Sequence, residues 1–334
     1  MLISPPVIVG MVGFGGRQPS IEALSALCAD PNVAKLHIFW NQPTPEIVQS
    51  LADLSARLDK VQISSSEQNL GSAGGYARLI DNFRVNQTAP LLLLLDDDLR
   101  LNHDCIDRLL QTVAVNVDAL DHTLFLAYRP GLPELQSLVL DNVAIRRPRP
   151  GCCVGFHFLN LISPEREPIR RDRQTGHYSI GSAPWGGLLI PREALARLGS
   201  PREDFFLYAE DYELTARFVW SGGEIVLVPD ALIHDADVAW NAVGGRASPL
   251  KRRILHLPDI KVFHEVRNRN FMARHYYRGL LPIYLANKGI FLGCAYALGL
   301  WYGKLSRARL IHRAINDGER MASTGLPHDY SWRE

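Results

Sequence analysis

The chain has 334 residues, 47% of them hydrophobic and 21% charged, with 36 Lys and Arg against 35 Asp and Glu and a formal charge of +1. That length allows one large domain with an appendage and a sizeable core. The near-neutral balance excludes a disordered chain and gives no global sign of a nucleic-acid-binding one. Cys28, Cys105, Cys152, Cys153 and Cys294 contain no CxxC pair. They read as reduced thiols of an intracellular chain, neither a disulfide framework nor a zinc site. The N-terminus has no charged stretch followed by a long apolar one, so no secretion signal is expected.

From Val7 to Ala127 short apolar runs alternate with amphipathic segments, the pattern of a doubly wound α/β sheet. Strands are expected near Val7–Val12, Lys35–Trp40, Val61–Ser64, Leu91–Leu95 and Thr123–Ala127. Helices fit between them, starting near Ser20, Pro45, Ser72 and Asn102, with Pro19 and Thr44-Pro45 as start signals. From Leu138 to Gly181 the pattern is irregular, with arginines scattered among prolines and glycines, and reads as extended segments and loops. Order returns with a strand at Trp185–Ile190, a helix from Arg192, a helix over Glu210–Trp220 and a strand at Glu224–Val228.

Leu91 to Leu95 run directly into Asp96, Asp97 and Asp98. A short apolar run of this kind is a central strand covered on both faces, and ligands collect beyond the carboxyl ends of such strands. Alternation puts Asp96 and Asp98 on one side with Asp97 turned aside, and two hard oxygen donors suit Mg²⁺ or Mn²⁺. The bland alternative is an acidic loop capping the next helix. The Gly-rich stretch Asn69–Gly75 precedes a helix and lets backbone N–H groups approach a ligand, or else permits close helix packing. It is neither a P-loop nor GxGxxG. In Phe205–Leu214 aromatic residues lead into Glu210 and Asp211 at a helix start, where carboxylates serve as caps or, for Asp211, as a general base. His234 ends a further buried segment, as a structural residue or a metal ligand.

The series NLGSAGGYARLID, LLLLLDDDLRL, WGGLLIPREALARLG, FFLYAEDYELTAR, VPDALIHD and FHEVRNRN resembles glycosyltransferase family 2, inverting enzymes of the GT-A fold, over roughly residues 5–275. Within it the chain is most similar to bacterial galactofuranosyltransferases that use UDP-galactofuranose, with dTDP-rhamnose rhamnosyltransferases next. The resemblance implies a Rossmann-like, mostly parallel central sheet flanked by helices over residues 1–245, then a helical C-terminal region over 246–334. It implies Asp96, Asp98 and His234 as ligands of Mn²⁺ or Mg²⁺, and Asp211 as the base that deprotonates an acceptor hydroxyl. Arg17, Asn41, Gly74, Gly75, Asp96, Asp97 and Glu210 would meet the nucleotide-sugar, and Trp185, Gly186 and Gly187 would border the acceptor, a glycan or lipid-linked glycan of a cell-surface polysaccharide such as O-antigen. Three positions depart from the family pattern. Gly13–Arg17 replaces a Thr-Tyr-Asn-Arg-like turn, Asn41 stands where Asp commonly reads the base, and Glu213 where Asp is frequent. Two other classes compete. A metal-dependent nucleotidyltransferase or phosphohydrolase explains Asp96–Asp98 but leaves Trp185-Gly186-Gly187 unassigned, and a silent scaffold makes Asp211 dispensable.

Residues 246 to 278 carry nine Lys or Arg against two Asp or Glu, interleaved with aromatics, and such a patch prefers phosphate. The following 289–303 stretch is uncharged and apolar, shorter than the about 20 residues of a membrane span. Together they favour peripheral contact with an anionic membrane, at the inner face of the plasma membrane, over nucleic acid. The alternatives are a buried helix with a solvated basic face, or a segment that serves a partner subunit of an oligomer.

Overall fold

The computed structural model describes residues 6–235 and 248–324. In chain order it contains β1 (Val7–Phe14), α1 (Ile21–Ala29), β2 (Val33–Asn41), α2 (Pro45–Arg57), β3 (Val61–Ser66), α3 (Gly71–Asn86), β4 (Leu91–Asp96), β5 (Leu99–Leu101), α4 (Cys105–Val115) and β6 (Thr123–Tyr128). There follow α5 (Pro133–Asp141), β7 (Arg170–Arg171), β8 (Tyr178–Ile180), β9 (Leu188–Pro191), α6 (Leu195–Leu198), α7 (Glu210–Trp220) and β10 (Glu224–Asp235). The C-terminal helices are α8 (Pro249–Leu255), α9 (Asp259–His275), α10 (Leu281–Trp301) and α11 (Leu305–Thr324).

The chain divides into two compact units. The first takes Met1–Ile145, Pro168–Phe206 and Glu210–Val238; the second takes Arg146–Glu167, Leu207–Ala209 and the chain from Ala239 on.

In the first unit the strand order is β3-β2-β1-β4-β9-β6-β10-β8-β7, with β5 paired to β10. β1, β2, β3 and β4 are mutually parallel, as are β6 and β10, while β9 runs antiparallel between β4 and β6. The sheet is therefore mixed with a mostly parallel core, as the sequence implies. The leucines of β4 are buried on both faces. Leu91, Leu93 and Leu95 pack with residues of α1, α2 and α4, whereas Leu92 and Leu94 pack with residues of α3 and α7. Each such burial contributes about 1.5–3 kcal/mol, so this strand anchors both layers. β1 is flanked by β2 on one side and β4 on the other, so the strand order reverses there and opens a crevice at the carboxyl ends of β1 and β4. Asp96, paired with Val12, lies at that edge.

Thr44 and Pro45 open α2 as expected, and α7 starts at Glu210 and ends at Trp220. The strand expected from Trp185 begins only at Leu188, because Gly187 takes φ +91 and breaks the extended path. A helix the sequence reading did not give, α5, is introduced by Pro133, runs into the start of the irregular stretch and is closed by Asn142 in the left-handed region. The helix expected from Asn102 starts at Cys105, since Leu99–Leu101 form β5 against the end of β10 instead.

The second unit is built on α8 to α11 around Val262, Phe263, Tyr284, Phe291, Ile311 and Ile315. Gly318 lets α11 approach α9: a Cβ there would lie 2.4 Å from the Arg267 carbonyl oxygen. Two members of the basic stretch are structural, Arg253 and Arg267 being 6% and 4% exposed. Arg253 binds Glu265 at 2.9 Å, and Arg267 donates to Asn268 at 2.9 Å.

Candidate active site

Asp96 leaves β4 into a recess of the first unit. Tyr76 Oη, from α3, lies 2.9 Å from its Oδ1 and 3.0 Å from the Leu95 carbonyl, and Arg129 Nη1 donates to its Oδ2 at 3.2 Å. Arg129, just after β6, is 11% exposed and also binds Asp235 at the end of β10 through Nε and Nη2. One guanidinium thus ties together two carboxylates from different strands. Burial raises the Asp96 pKa above the usual range, with Arg129 opposing and Asp98 adding to the rise. Burial also pushes Asp97 up to about 6, against the pull of Arg17, whose Nη1 lies 3.2 Å from Asp97 Oδ1.

Glu210 opens α7 with its side chain buried. Ser72 Oγ and Trp185 Nε1 both donate to its Oε1, the latter at 3.4 Å, while Oε2 is buried without a hydrogen-bond partner. Burial raises its pKa, which the bond from Ser72 partly offsets. Trp185 stacks on Tyr76 with ring centroids 4.8 Å apart, so Ser72, Tyr76, Trp185 and Glu210 form one cluster beside Asp96. Ser72 and Tyr76 are one helical turn apart on α3 and share a face. Asp211 follows Glu210, half-buried, and its Oδ1 accepts the Tyr212 N–H at 2.8 Å. The approach to α7 is strained: Phe206, Tyr208 and Ala209 take φ of +61, +67 and +67. Within the second unit, Asn268 Nδ2 steadies this turn by donating to the Leu207 and Tyr208 carbonyls at 3.0 and 2.8 Å.

Several residues implied by the resemblance have structural work here. Asn41 is 2% exposed and uses its whole amide on the loop before α3, accepting from Leu70 N–H and donating to the Gly71 carbonyl at 3.0 Å each. Gly74 and Gly75 are buried in packing; a Cβ on Gly75 would meet Val12 at 2.6 Å and Asn41 at 3.2 Å. Gly186 and Gly187 lie under the site, where a Cβ on Gly186 would sit 2.8 Å from Asp96 Oδ2. Glu213 is fully buried and bonds Arg217 one turn on, at 3.1 Å.

The donor chemistry of Asp96 and Asp98 suits a hard divalent cation, and the repulsion among Asp96, Asp97 and Asp98 is what a cation would relieve. The inferred third ligand does not join them. His234 is exposed and, by strand alternation, faces away from Asp235, the residue that Arg129 links to Asp96. Among the described residues no three His, Cys, Asp or Glu side chains gather as a metal site. The sequence reading missed Arg129, Tyr76, Ser72 and Asp235. The spacing of Ser72 and Tyr76, and the place of Arg129 just past a strand, were the available signals.

No protein-family model matches the chain. Over 247 residues, 70% of its length, it is 27% identical to the galactofuranosyltransferase GlfT2 of Mycolicibacterium smegmatis. It spans 37% of that relative's length. Among solved structures it is similar to GalNAc-T7, determined with UDP, GalNAc and Mn²⁺, with a TM-score of 0.54 and 14% identity, covering 90% of this chain and 58% of that one. The fold is the glycosyltransferase GT-A fold. The resemblance drawn from the motifs is thus matched by a galactofuranosyltransferase in sequence and a GT-A neighbour in structure. Within the GT-A fold Asp96 lies at the carboxyl ends of β1 and β4, and the largely buried Glu210 cluster packs beside it.

Proposed function

We propose that the chain is an inverting glycosyltransferase that moves a sugar from a nucleotide-sugar to an acceptor hydroxyl. The carrying observation is the Asp96 recess at the reversal of strand order, joined through Tyr76 and Trp185 to the Glu210-Asp211 start of α7. Asp211 takes the proton of the acceptor hydroxyl, the freed oxygen attacks the anomeric carbon from the face opposite the diphosphate, and the nucleoside diphosphate leaves with the C–O bonding pair. Configuration inverts in this single displacement. The stacked Trp185 and Tyr76 are buried and hold Asp96 through the Tyr76 hydroxyl, while buried Glu210 keeps Trp185 oriented. Arg17 and Arg129 place positive charge at the rim and floor of the recess. Asp96 and Asp98 would hold a Mn²⁺ or Mg²⁺ ion, which when bound supplies Lewis-acid neutralisation of the leaving diphosphate.

The donor is UDP-galactofuranose, a reading supported by the galactofuranosyltransferase relative. The acceptor is a glycan or lipid-linked glycan of a cell-surface polysaccharide, reached with the C-terminal unit at the inner face of the plasma membrane. The test is turnover of UDP-galactofuranose, UDP-galactopyranose and dTDP-rhamnose with Mn²⁺, for the native chain, Asp98→Ala and Asp211→Asn. Metal-dependent release of UDP from UDP-galactofuranose, lost in both variants, is expected. Preference for dTDP-rhamnose replaces the donor, release of pyrophosphate replaces the reaction class, and turnover by Asp211→Asn equal to native removes the assigned base.

A further inference from the structure

Tyr76 is 2% exposed and shares the core layer of Leu79, Phe83, Leu92 and Leu94. A phenylalanine would serve that layer without a hydroxyl to satisfy, and a buried hydroxyl left unpaired costs about 1–3 kcal/mol. Here the hydroxyl reaches the end of β4, 2.9 Å from Asp96 Oδ1 and 3.0 Å from the Leu95 carbonyl oxygen. Arg129 holds the other Asp96 oxygen at 3.2 Å. With its two oxygens taken by donors from two different elements, the carboxylate is fixed in orientation, and each oxygen keeps a further lone pair. The Asp96 side chain is still 34% exposed, so it remains open to a ligand.

The Tyr76 ring is held in turn. Trp185, 3% exposed, stacks on it with the ring planes 26° apart, and Trp185 Nε1 donates to Glu210 Oε1 at 3.4 Å. The same Glu210 oxygen accepts from Ser72 Oγ, one helical turn before Tyr76 on α3. These contacts close a circuit that leaves α3 at Ser72, passes through Glu210 and Trp185, and returns to α3 at Tyr76. Glu210 is 3% exposed, which leaves it almost no surface to meet a nucleotide-sugar, the contact that the family resemblance implies. Its connection to the site runs through the two aromatic rings. Groups that hydrogen-bond a metal-binding carboxylate from outside set its orientation, and their loss commonly weakens metal binding about 10–100-fold.

We propose that Tyr76 is a positioning residue that sets Asp96 for a hard divalent cation, and that Glu210 acts on the same carboxylate only through Trp185 and Tyr76. The inference rests on the cation-binding role proposed for Asp96 and Asp98. The full chain is titrated with Mn²⁺ in the absence of any sugar donor, with electron paramagnetic resonance reading the free and bound ion and circular dichroism checking the fold of each variant. The native chain binds the ion. Tyr76→Phe keeps the ring and its stack and removes only the hydroxyl; it weakens Mn²⁺ binding about 10–100-fold and changes the spectrum of the bound ion. Trp185→Phe keeps an aromatic face but loses the bond to Glu210, so it weakens binding in the same direction. In the Tyr76→Phe background it adds nothing, because both changes act through one hydroxyl. A purely structural role for the ring leaves the spectrum of the bound ion unchanged. Native affinity and spectrum in Tyr76→Phe refute the positioning role and leave the cation reading standing. Additive losses in the double variant refute the route through Trp185. If Tyr76→Phe does not fold, Trp185→Phe decides, and native affinity there refutes the inference. No Mn²⁺ binding by the native chain overturns the cation reading and this inference with it.

Discussion

Arg129→Met isolates the electrostatics of the recess. The Arg129 side chain is 11% exposed and its guanidinium contacts Asp96 and Asp235, whose side chains are 34% and 14% exposed. Removing one member of a buried ion pair costs about 3–5 kcal/mol because the remaining charge has no compensation. Asp96 keeps a third of its side chain in solvent and methionine retains much of the packing, so the expected loss is about 2–3 kcal/mol. Urea unfolding followed by fluorescence reads this as a lower midpoint of the transition belonging to the first unit. Mn²⁺ added to the variant should recover at least half of the loss, and should raise the variant's midpoint more than the native one, because a divalent cation can take the place of the guanidinium beside Asp96. Asp235→Asn in the same background should shrink the loss, as coupled partners do in a double-mutant cycle. A loss below about 0.5 kcal/mol, or equal Mn²⁺ stabilisation of native and variant, refutes the view that Arg129 is the resident counter-charge of this site.

Gly71 takes φ +69 and its missing Cβ would lie 1.9 Å from the Phe206 carbonyl oxygen, so Gly71→Ala should destabilise by more than about 3 kcal/mol or prevent folding, whereas Gly289→Ala, at an open helix position, should stabilise by about 0.5–1 kcal/mol; urea midpoints check both. His37, buried against Ser64, has its pKa lowered to about 4 by burial and Lys35. It stays neutral in the folded state, so its contribution is complete above pH 6.5 and lost as pH falls towards 4. Asp97, raised to about 6 by burial, acts in the opposite sense, stabilising the fold at low pH and losing that contribution as pH rises through 6. Relative to native between pH 4 and 6, His37→Gln should therefore lose stability as pH rises and Asp97→Asn should gain it; parallel pH profiles for the two variants contradict this assignment. Asp211→Asn should lower turnover about 10²–10⁴-fold with UDP binding unchanged by calorimetry, and a matching loss of UDP affinity argues for a binding role instead.

The strands and their order of burial were legible because the information is local. Five leucines in a row cannot be placed anywhere but between two layers, and the pattern ending at Asp96 puts the carboxylates at the C-terminal end of β4. The start of α7 was equally plain, since carboxylates at Glu210, Asp211 and Glu213 precede an apolar helix face. The outcome for Asn41, Gly75 and His234 was not local. Asn41 is consumed by a loop 29 residues away, Gly75 by its approach to β1, and His234 is turned outward because the pairing with β5 fixes the alternation of β10. Arg129 reaches Asp96 and Asp235, 33 and 106 residues distant, only because β9 inserts between β4 and β6 while β6 pairs with β10. Likewise the sequence shows that α10 is apolar, but which side is covered was decided by α11 packing on Phe291, Ala295 and Gly299. Hydrophobic periodicity specifies what each segment buries; strand order and helix packing alone determine which charges meet and which apolar face remains in solvent.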